Sequence, residues 1–352
     1  MSRTAPQRIA VCLGFPGLDA PRFVDRLRKI DPRVDPLPLP IDPQGDWLGA
    51  SAHDPHEEPP PWAKGLAAER ARVLAQAEVL IALHTPKDLM EWAPQLRWIQ
   101  GIGAGVEQFA QAGVPRDRVV VTNASGLSAP SMAEFVIGRL LQVWKRLREA
   151  DHYQREHEFV RTYGRTFSGS SVGIVGLGSI GCAVAERARA LGARVLGLKR
   201  SHRPGATSEL ADELFGPDQL HQMLGRCDAV VVAAPATDAT RHLIDAKALA
   251  AMRRGAVLVN VARGSLVDEA ALVAALTSGQ LAAAALDVFE QEPLPPQSPL
   301  WELPTLYVSA HSSVSVDRYV DDIFDLFADN LARYVAGEPL RNCVDMAVLG
   351  FR

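Results

Sequence analysis

The 352-residue chain has only four cysteines, and Cys12, Cys182, Cys227 and Cys343 are scattered without the paired spacing of a metal-ligand set. That excludes a disulfide scaffold and a zinc module, and reads as small core residues in a reducing compartment. Charge of one sign is also missing. Lys plus Arg numbers 37 against 41 for Asp plus Glu, and no long basic run is present, so a nucleic-acid partner is not expected. The apolar runs are too short to span a bilayer, and residues Met1 to Pro6 carry no apolar signal segment. Internal repeats and low-complexity tracts are absent too. These absences leave a cytoplasmic protein with a small-molecule partner and no membrane, long enough for two α/β domains with a core in each.

What is present alternates between two periodicities. Strands are expected over 8–14, 78–83, 97–100 and 118–122, with helices over 21–30 and after Gly105, a rhythm that means a parallel sheet covered on both faces. The stretch 51–61, with His53, His56 and four prolines, reads as an exposed polar loop rather than a metal site. Ser131 to Glu134 has the form of a capping box. It is expected to open a long one-sided helix, with Met132, Phe135, Val136, Leu140, Val143, Trp144 and Leu147 at helical spacing. Further strands are expected over 172–175, 194–198, 229–234, 256–261, 282–288 and 306–309, and a last helix over 317–334.

The most informative stretch is Val172 to Gly181, where an apolar strand turns through Gly176, Leu177, Gly178, Ser179, Ile180 and Gly181 into a helix that stops at Gly192. In a G-x-G-x-x-G turn the first glycine allows the tight turn and the second lets a pyrophosphate approach the backbone. The third lets helix and strand pack closely, while the helix N-terminus faces the anion. Dinucleotide binding is therefore expected. The strand after it usually ends in an acidic residue that bonds the ribose hydroxyls of NAD. Here it ends Lys199-Arg200-Ser201-His202-Arg203. Arg200 and Ser201 can bond a 2′-phosphate, and Lys199 or Arg203 adds charge, so NADP(H) is favoured with NAD(H) possible.

Three titratable or charged side chains follow the ends of successive strands: Arg263, Glu292 and His311. Ligands of open α/β sheets bind outside those carboxyl ends, so the three are expected beside the nicotinamide. Reduction of a ketone needs a proton donor as the alkoxide forms, and histidine titrates in the right range. Glu292 would stabilise its imidazolium, and Arg263 would hold a substrate carboxylate and polarise the carbonyl. Asp287, near the end of its strand, is placed to contact the nicotinamide amide or to support the site from behind; capping the strand end is an equally simple role.

The segments 96–106, 123–134, 172–181, 259–268 and 286–293, in that order, resemble those of the D-isomer-specific 2-hydroxyacid dehydrogenases along nearly the whole chain. The resemblance implies two similar doubly wound parallel-sheet domains. One is a Rossmann dinucleotide-binding domain over 129–315, and the other a flavodoxin-like substrate domain split between 1–128 and 316–352. It implies Arg263, Glu292 and His311 as the catalytic trio and the backbone of Gly103, Ala104, Gly105 and Val106 as the carboxylate site. Pro235, Thr240, Val261, Ala262, Asp287 and His311 join the fingerprint in holding the cofactor. It also implies a homodimer through the cofactor-binding domain, with the one-sided helix from Ser131 as a contact surface. Lys199-Arg200-Ser201 resembles the glyoxylate and hydroxypyruvate reductase branch, so the expected reaction is reduction of a small 2-keto acid to the D-2-hydroxy acid. Two other readings stay open: a nucleotide-sensing interaction protein on the same scaffold, and an NAD-linked dehydrogenase working in oxidation. His311 is followed by Ser312-Ser313, where many relatives carry an apolar residue and glycine, which suggests a more polar pocket roof.

Overall fold

The computed structural model describes residues 8–15, 17–40, 61–83, 85–86, 88–201, 206–314 and 318–345. The loop with His53 and His56, and His202 and Arg203, lie outside these. The chain divides into two compact units, 1–127 with 317–352, and 128–316. Both are built on all-parallel sheets, so the α/β, doubly wound expectation holds.

In the first unit the strands β1 (Ile9–Gly14), β2 (Val34–Pro38), β3 (Val79–Ala82), β4 (Trp98–Gly101) and β5 (Val120–Thr122) order as β2-β1-β3-β4-β5, the flavodoxin-like arrangement. β2, which carries Pro36 and Pro38, was not among the strands expected from sequence. It lies at the sheet edge, where missing amides cost little. The helix Tyr319–Ala336 returns to cover one face. Its Phe324, Phe327 and Leu331 pack with Phe23 and Trp98, and Gly337 in the left-handed region ends it.

The second unit contains β6 (Ser171–Val175), β7 (Arg194–Leu198), β8 (Glu213–Phe215), β9 (Ala229–Val232), β10 (Ala256–Asn260), β11 (Leu281–Leu286) and β12 (Leu306–Val308), ordered β12-β11-β10-β9-β6-β7-β8. The inner strands β9 and β10 are buried at every position, as expected of a sheet covered on both faces. Each fully buried Val or Leu there contributes about 1.5–3 kcal/mol. The order reverses between β6 and β9, and at such switch points open sheets form their ligand crevice.

Several local expectations need correction. The long helix begins at Ala129 rather than Ser131, because Pro130 suits its first turn. Ser131 Oγ bonds Ser128 O and Glu134 pairs with Arg187, so the capping box does not form. That helix ends at Trp144, where Arg146 takes a left-handed φ of 56° and a second helix, Leu147–Arg155, begins. Met132, Val136, Leu140 and Trp144 pack inside their own unit, while Phe135 and Val143 are only partly buried and Leu147 is exposed. Of the cysteines, Cys12 and Cys227 are core residues, but Cys343 is exposed and Cys182 only partly covered. Among the described residues no helix is long and apolar enough to cross a membrane.

Candidate active site

The glycine turn after β6 has the geometry its spacing called for. Gly176 has a φ of 102°, and a Cβ on it would stand 2.7 Å from Ala234 Cα, so only glycine fits. A Cβ on Gly181 would stand 2.0 Å from Gly176 O, the close approach that lets the helix Ser179–Ala190 pack on β6. A Cβ on Gly178 would meet nothing within 4 Å, and Gly178 and Ser179 are exposed at the helix N-terminus. An anion therefore has open space in front of the positive end of this helix. Leu177 lies against Gly197 of β7, and Ile180 is half-buried against the unit's core. This cradle fits a dinucleotide pyrophosphate. Lys199, Arg200 and Ser201 follow β7 and are exposed.

Because every strand runs the same way, the residues after β9, β10, β11 and β12 emerge on the same edge of the sheet as the glycine turn. After β9, Thr240 Oγ1 donates to Pro235 O at 2.8 Å and accepts from the Thr237 amide, stitching that turn closed. After β10, Val261 and Ala262 are buried and Arg263 is half-buried, its Nη1 donating to Ala262 O at 2.8 Å. Asn260, fully buried, fixes this turn from below. Its Oδ1 accepts from the Ala262 amide and its Nδ2 donates to Arg263 O at 2.9 Å. Gly264 follows, and a Cβ there would stand 1.9 Å from the Phe289 carbonyl carbon, so the Arg263 turn and the segment after β11 touch main chain to main chain.

That segment carries Asp287 and Glu292. Asp287 is buried, and both its oxygens are occupied from behind the site: Oδ1 accepts from Ser309 Oγ and the Ser312 amide, Oδ2 from the Ser313 amide. Its carbonyl accepts the His311 amide at 2.8 Å. The structure thus gives Asp287 the supporting arrangement. His311 is held in the left-handed region at φ 50°, where a non-glycine residue needs such over-determination.

Glu292 and His311 meet directly. His311 Nδ1 donates to Glu292 Oε2 at 2.8 Å, while Glu292 Oε1 accepts from the Phe289 amide at 2.9 Å. An ionised carboxylate can only accept, so the bond puts a proton on Nδ1. Nε2 has no partner among the described residues and is the ring atom left to exchange a proton. The Glu292 hydrogen bond raises the His311 pKa above the ordinary histidine value, against desolvation and the Arg263 charge. Partial burial pushes Glu292 up. The His311 and Phe289 hydrogen bonds, with the charges of His311 and Arg263, outweigh it and leave the carboxyl below its usual range. The carboxylate therefore favours the protonated form of the ring, and the charge of Arg263 acts on both members of the pair.

Gly103, Ala104, Gly105 and Val106 belong to the other unit, in the turn after β4. Sequence reading missed Asn260 and Gly264. A polar residue closing an otherwise apolar buried strand was the available signal for Asn260; nothing local marks Gly264.

Residues 137–313 match the sequence profile of the D-isomer specific 2-hydroxyacid dehydrogenase, NAD binding domain. The glyoxylate reductase of Aeropyrum pernix is 34% identical over 307 residues, covering 84% of this chain and 89% of that one. The crystal structure of a D-isomer specific 2-hydroxyacid dehydrogenase family protein from Aeromonas salmonicida is 31% identical with a TM-score of 0.80, covering 97% and 99%. An NADPH-dependent glyoxylate/hydroxypyruvate reductase from Sinorhizobium meliloti, in complex with NADP and sulfate, is 28% identical with a TM-score of 0.78, covering 98% and 100%. A glycine cradle shaped for a dinucleotide, a histidine bonded to a carboxylate on the same sheet edge and these likenesses lead to one conclusion: the chain belongs to the D-isomer-specific 2-hydroxyacid dehydrogenase family, NAD(P)-linked oxidoreductases acting on a CH–OH group.

Proposed function

We propose that this protein is an NADPH-preferring reductase of a small 2-keto acid such as glyoxylate or hydroxypyruvate, forming the D-2-hydroxy acid. The observation that carries the reading is the Glu292–His311 pair with Nε2 left open, since a proton donor held charged by its own carboxylate serves reduction of a carbonyl. A protein that only sensed nucleotides would have no use for it.

In this proposal the turn 176–181 holds the pyrophosphate, with Pro235, Thr240, Val261 and Ala262 lining the rest of the cofactor site. The bound dihydronicotinamide supplies the hydride. His311 gives its Nε2 proton to the oxygen of the substrate carbonyl, and Glu292 holds the imidazole in the required tautomer and stabilises its charge. Arg263 holds the substrate carboxylate and polarises the carbonyl, and the amides of Gly103 to Val106 bind the same carboxylate. Lys199, Arg200 and Ser201 select the 2′-phosphate. The missing acidic residue and the NADP-bound Sinorhizobium relative support that choice.

The test is the initial rate of nicotinamide absorbance loss with glyoxylate and hydroxypyruvate, each with NADPH and NADH. NADPH should give the higher kcat/KM, and Arg200→Ala should weaken NADPH binding about tenfold with NADH unaffected, the value of one charge-assisted hydrogen bond. Equal or better turnover with NADH overturns the cofactor preference. No turnover with either, alongside tight cofactor binding, overturns the reductase and favours a sensor.

The same reading includes a homodimer through the second unit. Phe159 is 99% exposed and Tyr163 78% exposed on the segment after the helix Leu147–Arg155, a concentration of bare aromatic surface that a second copy would cover. Sedimentation should give twice the chain mass, and Phe159→Asp should shift the protein toward monomer. A monomeric parent protein overturns this part.

A further inference from the structure

The turn after β4 has its carbonyls tied down one after another. Gln100 Nε2 donates to Gly101 O at 2.9 Å, and the Tyr319 hydroxyl to Ile102 O at 2.8 Å. The Ala124 amide donates to Gly103 O at 2.9 Å, and Asn123 Nδ2 to Ala104 O at 2.8 Å. The amides behave in the opposite way. Those of Gly103, Ala104, Gly105 and Val106 donate to no acceptor among the described residues.

These two facts are linked by the peptide bond. A carbonyl and the amide that follows it share one plane and point in opposite directions. Fixing the oxygens of Ile102, Gly103 and Ala104 therefore fixes the N–H vectors of Gly103, Ala104 and Gly105. Without the clamps, glycines at 103 and 105 would let those planes rotate freely. With them, the donors stand ready before any anion arrives, and its binding need not order the loop.

The clamps are themselves anchored in the core. Gln100 Oε1 accepts from Thr122 Oγ1 at 2.8 Å and from Asn330 Nδ2 at 3.1 Å, and Thr122 Oγ1 accepts from Trp98 Nε1 at 2.9 Å. All four residues are essentially fully buried. Asn123 is tied to the C-terminal return, its amide donating to Asn342 O while Asn342 Nδ2 donates back to Asn123 O. Tyr319 opens the return helix. The C-terminal segment thus reaches back to set a turn more than two hundred residues earlier in the sequence.

We propose that Tyr319 and Asn123 are positioning residues for the carboxylate of the 2-keto acid, presetting the amide planes of Gly103 to Gly105 by holding the carbonyls behind them. This rests on the reading that the turn takes that carboxylate. Tyr319→Phe keeps the ring in its half-buried packing and removes the hydroxyl that holds Ile102 O. It should raise the KM for glyoxylate about tenfold at unchanged kcat and unchanged NADPH affinity, the value of a single hydrogen bond. Inhibition by oxalate should weaken by the same factor. The methyl ester of the keto acid, which has no carboxylate, should lose much less. Asn123→Ala should show the same split.

A KM and oxalate affinity equal to those of the parent enzyme overturn the proposal. So does a uniform loss across glyoxylate, ester and NADPH with a lowered melting temperature, which assigns Tyr319 to packing. A parent protein that reduces no 2-keto acid fails the functional reading instead. Direct calorimetric binding of oxalate to parent and Tyr319→Phe proteins still tests the clamps, with weaker binding expected in the variant and equal affinity overturning them.

Discussion

Replacing His311 with asparagine is expected to lower 2-keto acid turnover by about three orders of magnitude, within the range of a lost general acid, while NADPH binding stays unchanged. Asparagine is the informative choice because it tolerates the left-handed backbone at this position, φ 50°, so backbone strain does not mask the chemical loss. Single-turnover absorbance and a cofactor titration on one preparation separate the two readouts. Retention of a tenth of the activity, or a parallel loss of cofactor affinity, would remove His311 from the chemical step. The pH profile supplies a second check. Reduction needs the protonated ring, so the rate falls as pH rises through the His311 pKa, which the Glu292 bond holds up. Glu292→Gln removes that carboxylate and should move the falling limb to lower pH. A limb that does not move detaches Glu292 from the proton chemistry.

Gly264→Ala is expected to be as damaging by a different route. The added methyl would lie 1.9 Å from Phe289 C and 2.4 Å from Glu290 N, atoms of the main chain that cannot rotate aside. The two turns must separate, and they carry Arg263 and Glu292. Overpacking against backbone should lower the unfolding free energy by about 3 kcal/mol. The displaced side chains should cost about a hundredfold in kcat/KM, as an ångström-scale misplacement does. Denaturant unfolding and steady-state rates measure the two effects. Wild-type values for both would mean that the turns part without consequence.

Much of this architecture is legible in the sequence because it rests on short-range rules. Arg194–Leu198 and the fingerprint strand and helix follow from apolar runs broken by glycine, and the placement of Arg263, Glu292 and His311 on one edge follows from the parallel sense of the strands. The failures have physical causes. Val34–Pro38 survives two prolines because only an edge strand can leave those donors out, and being at an edge is a tertiary fact. Glu213–Phe215 is three residues long and shows no periodicity. The helix break at Arg146 interrupts a pattern that runs on past it. In the site, Gly264 and Tyr319 act only through residues distant in sequence, so no local window contains both halves of the contact.

The interrupted first unit also imposes an order of events during synthesis. Its sheet strands are complete at Thr122, but the helix that covers Phe23 and Trp98 begins at Tyr319. The whole second unit is made in between, which at ordinary translation rates takes about 10–40 s. For that interval one apolar sheet face has only the helix Pro21–Arg28 as cover, while the second unit, continuous in sequence, can close on itself. A ribosome stalled before Tyr319 would therefore leave a finished cofactor-binding unit tethered to an exposed, aggregation-prone sheet, a natural target for chaperones.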